Sequence, residues 1–138
     1  MRLKRIISSE KGSVTIEFIG ILPLFFLIML ICWQFLIGVY GVIVAQSAAN
    51  EAAKVYAITQ NEGDALAAAE HVLHSAGGGV GYNSGESYVK GPDSDGYFTV
   101  TVGANLDIVF LPDFIRDNMD ESDRVITFER NITSRVVR

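Results

Sequence analysis

Charged residues are absent from one long stretch of this chain. Between Phe18 and Asn50 there are 33 residues without one Asp, Glu, Lys or Arg. This lack of charge excludes a solvated surface helix over the stretch. The 27 residues from Phe18 to Val44 would extend about 40 Å as a helix, whereas a bilayer's hydrocarbon core is only ~30 Å thick. A cleavable signal peptide has a much shorter apolar region. We therefore predict a transmembrane helix that is retained in the protein.

Cysteine is nearly absent as well, and so are the residue sets of common catalytic sites. The single cysteine, Cys32, lies within the apolar run and cannot form an intrachain disulfide. No Ser/His/Asp, Cys/His or paired-carboxylate arrangement stands out. We therefore expect a protein that is not an enzyme and that uses no cofactor.

Positive charge is concentrated at the N-terminus and scarce after it. Residues 1–12 contain four basic residues and one acid, a formal charge of +3. Residues 13–138 contain seven basic and 15 acidic residues, a formal charge of −8. Basic residues before a first apolar helix hold that end in the cytoplasm. An acidic remainder repels phosphate backbones, so we expect no nucleic-acid partner.

The helix is expected to continue beyond the membrane, because the segment Ala45–Gln60 is rich in alanine, the strongest helix former. A break follows, and Asp64 is predicted to be the N-cap of a second helix over Ala65–Ala76. That helix would present one apolar face, consisting of Leu66, Ala69, Val72 and Leu73.

The C-terminal part is predicted to form a small antiparallel sheet. Its glycine-rich stretch Gly77–Gly85 has the composition of a flexible loop. Alternating apolar residues and turn residues predict a first strand that begins near Tyr88 and a turn at Pro92–Gly96. A second strand is predicted over Tyr97–Val102, with an extension through Asn105–Phe110. A loop or helical turn over Pro112–Ser122 and a last strand over Val125–Ile132 follow. We therefore predict an α+β protein: a long N-terminal transmembrane helix that continues outside the membrane and packs with a short helix and this sheet.

Two pairs of residues could in principle bind an ion. His71 and His74 are three apart and share a helix face. Asp93 and Asp95 resemble the start of a calcium loop, but Ala104 stands where the bidentate Glu would be. We therefore expect surface histidines, a plain turn and no metal site.

The junction between the basic leader and the apolar run resembles the N-terminus of a type IV prepilin. Gly12 is followed five residues later by a lone carboxylate, Glu17, and then by the long apolar helix. More narrowly, Gly12–Phe18 followed by Ile21-Leu22-Pro23-Leu24 resembles the TadE-like family of pseudopilins, which includes closely similar TadF-like subunits. The alanine-rich stretch near Lys54 is similar to the family's segment after the membrane, although the match there is looser.

The resemblance implies a fold that is pilin-like and cleavage by a membrane prepilin peptidase between Gly12 and Ser13. It implies a leader over residues 1–12, a transmembrane and protruding helix over 13–60, and an extracytoplasmic α+β domain over 61–138. Ser13 would then carry a free α-amine with a pKa of about 7.7–8.0. In low-dielectric surroundings Glu17 could pair with this amine in its own or an adjacent subunit. Pro23 is expected to kink the helix.

The function implied by the resemblance is that of a minor pilin or pseudopilin of a tight-adherence (Tad, Flp-type) pilus, acting in pilus assembly and adhesion. Its partners would be the peptidase, other pilin or pseudopilin subunits, the Tad secretion machinery and membrane lipid. It would cross the cytoplasmic (inner) membrane once, with its N-terminus in the cytoplasm and its C-terminal domain outside; the pilus or cell surface is an alternative location.

Two alternative functions stay open on the sequence. One is an unprocessed single-pass signal-anchor protein with an external interaction module. The other is a pseudopilin of a type II secretion or competence apparatus, whose usual Phe-Thr-Leu-Ile-Glu-like start is only partly matched by Ser13–Glu17.

Overall fold

The computed structural model describes residues 10–108 and 113–137, and their side chains from Val14 onwards. Most of the predicted leader, the end of the predicted extension through Phe110, and Pro112 lie outside these residues. The helices are α1 (Glu10–Thr59), α2 (Glu62–Ala76) and the short α3 (Asp113–Arg116), and a 3₁₀ turn covers Glu121–Arg124. The strands are β1 (Val80–Lys90), β2 (Tyr97–Asp107) and β3 (Val125–Arg135).

The three strands form one antiparallel sheet in the order β1-β2-β3. The predicted α+β class is therefore confirmed, including a long N-terminal apolar helix, a short helix and a small sheet. The chain divides into two units, residues 1–33 and residues 34–138. The division falls inside α1, so the C-terminal part of this helix belongs to the same unit as the sheet.

The core of the second unit forms between the alanine-rich part of α1 and one face of β2. Small side chains recur on α1 at helical spacing and are buried, and the even-numbered residues of β2 face them. Tyr56 packs on Phe98 with ring centroids 4.7 Å apart. Small helix residues let a sheet approach closely, which explains why alanine dominates here. The buried set is Val44, Ala45, Ala48, Ala49, Ala52, Ala53, Tyr56 and Ala57 on α1 and Phe98, Val100, Val102, Ala104 and Leu106 on β2.

The junction between α1 and α2 differs in detail from the prediction. Gln60 adopts a left-handed conformation with φ of 52°, which terminates α1. The N-cap of α2 is Asn61, whose side-chain Oδ1 accepts hydrogen bonds from the backbone N–H groups of Gly63 (2.9 Å) and Asp64 (3.4 Å). The prediction of Asp64 as the N-cap was wrong, because Asn61 supplies an equally good acceptor three residues earlier.

The buried face of α2 is narrower than predicted. Ala69 and Leu73 are buried as expected, whereas Leu66 and Val72 are half-buried. Ala65 is fully buried in addition. The buried face of α2 is therefore centred on Ala65, Ala69 and Leu73, and the larger Leu66 and Val72 lie at its edges.

The glycine-rich segment was predicted incorrectly as a loop throughout. Only Gly77, Gly78 and Gly79, all with positive φ, form the turn; β1 begins at Val80, which pairs with Leu106 and is buried. The strand register then shifts between Asn83 and Tyr88. Within this irregular stretch Ser87 Oγ donates to the carbonyl of Asn83 (2.6 Å) and accepts from the N–H of Gly103 (3.0 Å).

The remaining turn and strands follow the prediction more closely. Asp93 Oδ1 accepts from the backbone N–H groups of Asp95 (3.0 Å) and Tyr97 (2.8 Å), which closes the predicted turn. β2 extends past the predicted Val102 but ends at Asp107, and β3 extends three residues beyond the predicted Ile132. The segment before β3 contains α3 and the 3₁₀ turn, in accord with the predicted loop or helical turn.

The assignment of the α2 N-cap can be tested by two matched substitutions. We expect Asn61→Ala to lower the free energy of unfolding by about 1 kcal/mol, because two backbone N–H groups lose their acceptor. Asp64→Ala removes a carboxylate that makes no cap hydrogen bond and serves as the control, with an effect of about 0.3 kcal/mol, the lower end of the range for an exposed charge near a helix N-terminus. Chemical unfolding of the full-length protein in detergent, followed by circular dichroism, measures both; the reverse ranking would contradict the assignment.

Candidate functional site

The apolar residues of α1 in the first unit are exposed on every side of the helix. Within Val14–Thr59 the most apolar 18-residue window has a mean hydropathy of 2.6, and none of it is buried. Ile16, Phe18 and Trp33 expose 73%, 64% and 60% of their surface. A core helix of a water-soluble protein would have a covered face, so this surface requires a bilayer or other apolar helices around it.

One helix of the described chain is thus long and apolar enough to cross a membrane, which suggests single-pass anchoring. A signal sequence near the N-terminus passes the same test of composition. However, Ala45, Ala48 and Ala49, which directly follow the apolar run, are completely buried in the core of the second unit. Cleavage at this alanine-rich stretch would remove part of the core, and so a retained helix is favoured.

Glu17 lies at the start of the apolar residues and is exposed. Among the described residues no basic side chain lies within ion-pair distance of its carboxylate. The ion pair found among these residues lies farther along α1 and joins Lys54 Nζ and Glu51 Oε2 at 3.3 Å. That pair is solvent-exposed and contributes little to stability. Glu17 therefore has no partner within the described monomer, which is consistent with a role that requires another group.

Gly12 and Ser13 belong to the helical backbone of α1, which begins at Glu10. Ser13 and Glu17 are four residues apart, so in this helix they lie on one face, about 6 Å apart along the axis. Pro23 lies inside the helix, which continues on both sides of it. Its missing N–H leaves one carbonyl of the preceding turn without the usual helical partner. The kink at Pro23 stays a prediction.

The residues considered for ion binding lie apart from this region. The described residues contain no group of three or more His, Cys, Asp or Glu side chains that could hold a metal ion. His71 and His74 are both exposed on α2. The carboxylate of Asp93 is used by its own turn, as described above.

One surface was not predicted from the sequence: an apolar groove between α1 and the sheet in the second unit. The groove has a volume of about 550 Å³ and is lined mainly by apolar side chains, among them Phe35, Val39, Ile43, Leu106, Ile126 and Phe128. The sequence did contain one feature that could have indicated this groove. Alternate positions of β3 place Ile126, Phe128, Arg130 and Ile132 on one face of the strand.

Comparison with known proteins adds one finding. Residues 12–54 match the family model described as TadE-like protein. The predicted resemblance to the TadE-like family is thereby confirmed for this segment, which begins at Gly12, contains Glu17 and Pro23, and ends at Lys54. The match suggests a protein associated with Tad pili. No curated protein and no solved structure matches the chain.

The TadE-like segment includes the candidate membrane span, and membrane anchoring can be tested by introducing charge. We expect the protein to stay in the membrane fraction during alkaline extraction, and the double variant Leu27→Arg/Leu30→Arg to be released. Two arginines at the centre of a span cost about 5–7 kcal/mol. Ile58→Arg, on an exposed residue of the same helix outside the apolar run, is the control and should stay membrane-bound. Release of the unmodified protein would contradict membrane anchoring.

Proposed function

We propose that this protein is a minor pilin or pseudopilin of a tight-adherence (Tad) type IV pilus. In this proposal a prepilin peptidase cuts it between Gly12 and Ser13, and the product acts in pilus assembly and adhesion through contacts with other subunits and the Tad secretion machinery. The observation that carries the proposal is the TadE-like match, which begins at Gly12 and covers the exposed apolar part of α1.

The proposed topology follows from the charge distribution. The leader, residues 1–12, has a formal charge of +3 and stays on the cytoplasmic side of the inner membrane. The helix over 13–60 crosses the membrane once and protrudes from it, and residues 61–138 form the extracytoplasmic domain. The acidic character of the part after the leader is consistent with transfer across the membrane.

Glu17 has a physical role in this proposal after cleavage. The new N-terminus at Ser13 contributes a positively charged amine, and the first turn of the helix contributes exposed N–H groups with a partial positive charge. Both favour a carboxylate one turn away. In an apolar assembly this attraction is strong, because the surrounding dielectric is low. Glu17 therefore pairs with the amine of its own or an adjacent subunit and sets the axial register of assembly.

The protein acts in this proposal as a substrate and a structural subunit, and it performs no catalysis itself.

Processing is tested by determining the N-terminus. We expect mass spectrometry of the membrane-purified protein, from cells that contain the peptidase, to find Ser13 as the first residue. Gly12→Asp should abolish cleavage, because a side chain at this position blocks close approach of the protease to the backbone. Gly20→Ala is the matched glycine control and should be processed normally, since an added Cβ there has open space. An intact Met1 in these cells would favour the unprocessed signal-anchor alternative.

The role of Glu17 is tested separately from processing. We expect Glu17→Gln to be cleaved at Ser13 but to lose co-purification with other pilus subunits by at least about ten-fold, which corresponds to one charge-assisted contact in apolar surroundings. Glu70→Gln removes another exposed carboxylate, on α2, and should co-purify as the unmodified protein does. Undiminished co-purification of Glu17→Gln would argue against the assembly role and for a simple anchor.

A further inference from the structure

The groove between α1 and β3 leaves a large apolar surface uncovered in the second unit. Phe35, Ile43 and Ile126 expose 71%, 59% and 48% of their surface along it. Gly38 lies at the bottom of the groove and has no side chain to fill it. A Cβ added there would lie 3.9 Å from Leu106 Cδ2, so a side chain at this position would take up space in the groove. β3 is an edge strand, so no further strand of the described sheet covers this side. A ligand with a long apolar portion would fill the groove.

A lone basic residue lies beside the groove. Arg130 projects from the same face of β3 as Phe128 and lies about 7 Å from it along the strand. Its side chain is half-buried, and its Nε atom is shielded from solvent and has no hydrogen-bond partner among the described residues. The guanidinium group carries a permanent positive charge, and a phosphate can accept hydrogen bonds from two of its N–H groups together. Arg130 therefore favours an anionic group at this end of the groove.

We propose that the groove binds a phospholipid of the surrounding bilayer, with an acyl chain against Phe35, Val39 and Ile126 and the phosphate at Arg130. The proposal rests on the membrane anchoring included in the proposed function, and not on processing or pilus assembly. The acyl chain of such a lipid matches the apolar groove, and its phosphate matches the guanidinium of Arg130.

The position of the groove in the chain supports a lipid. Its α1 residues belong to the apolar run Phe18–Val44, which is about 10 Å longer than the hydrocarbon core is thick. The groove residues of α1 lie between Gln34 and Ile43, in the last part of the run, and are therefore placed where the hydrocarbon core meets the lipid headgroups. On the sheet, Arg130 lies on the side of Phe128 away from Ile126, toward the end where Tyr56 packs on Phe98. A lipid bound in this way has its headgroup farther along α1 than its acyl chain, as in the bilayer leaflet.

A helix from a second copy of the chain matches the site less well. Its 33 uncharged residues could cover the apolar groove, but they would bring no carboxylate to Arg130. Its nearest acids, Glu17 and Glu51, flank that stretch at its two ends. A phospholipid supplies the apolar chain and the anion within a single molecule.

The test uses the full-length protein in phosphatidylglycerol vesicles with brominated acyl chains, which quench nearby fluorophores. A fluorophore is attached to Ile126→Cys in a Cys32→Ser background, and the control is the neighbouring Thr127→Cys on the opposite face of β3. We expect several-fold stronger quenching at position 126 than at position 127. The single tryptophan, Trp33, reports helix insertion independently in the same samples.

The phosphate contact is tested by charge removal in the same protein. We expect Arg130→Gln to reduce the phosphatidylglycerol that stays bound in detergent about five-fold, the contribution of one basic residue to binding an anionic lipid. Arg135→Gln removes the same charge from the opposite face of β3, where the guanidinium lies over the Tyr97 ring, and should retain as much lipid as the unmodified protein.

Three results would overturn the proposal, and they can be told apart. Quenched Trp33 with equal, weak quenching at positions 126 and 127 would refute the lipid site while leaving membrane anchoring intact. Unquenched Trp33 would refute anchoring and, with it, the lipid site. Efficient cross-linking of two copies through Ile126→Cys, together with loss of quenching there as protein density rises, would show that a second copy occupies the groove.

Discussion

The structure depends on a single helix that must satisfy two different surroundings. The N-terminal part of α1 is apolar on all sides and uncovered, whereas its alanine-rich C-terminal part is buried under β2. The uncovered part and the buried part belong to one continuous helix, Glu10–Thr59, without an intervening linker. The change from large apolar residues to alanine marks the point where an uncovered surface gives way to contact with the sheet, because small side chains allow the strands to approach closely.

The placement of charge is the second constraint, and it applies both to Glu17 and to the apolar groove. Glu17 at one end of the uncharged run and Arg130 beside the groove each lack a described partner of opposite charge. Unpaired charges next to apolar surface become costly once that surface is covered and water is excluded. They become favourable when an external group compensates them: a backbone amine for the acid and a phosphate for the guanidinium. Both proposals therefore derive from the same energetic requirement.

Much of the fold could be predicted because the decisive signals are local. The length of the uncharged run predicts the helix, alanine predicts its continuation, and Pro92–Gly96 predicts the turn. The N-cap of α2 was missed for a local reason, since Asn61 is as good a cap as Asp64, but the glycine-rich segment was predicted wrongly because a distant contact decides its structure. Val80 is in a strand because it pairs with Leu106, and glycine content alone cannot show this. The groove also escaped prediction, since the nearness of Phe35 to Ile126 depends on the packing of α1 against the sheet.

The burial of Ala45–Ala57 beneath the strands has a consequence for biogenesis. A ribosome completes α1 and α2 before it makes β2 or β3, and the buried residues of the strands form one core with those of both helices. The sheet therefore condenses onto a helix that already exists, and the nascent chain folds outward from its N-terminal end. In the proposed topology translocation and folding are coupled in this way, because the late strands assemble on the segment that would be inserted into the membrane first.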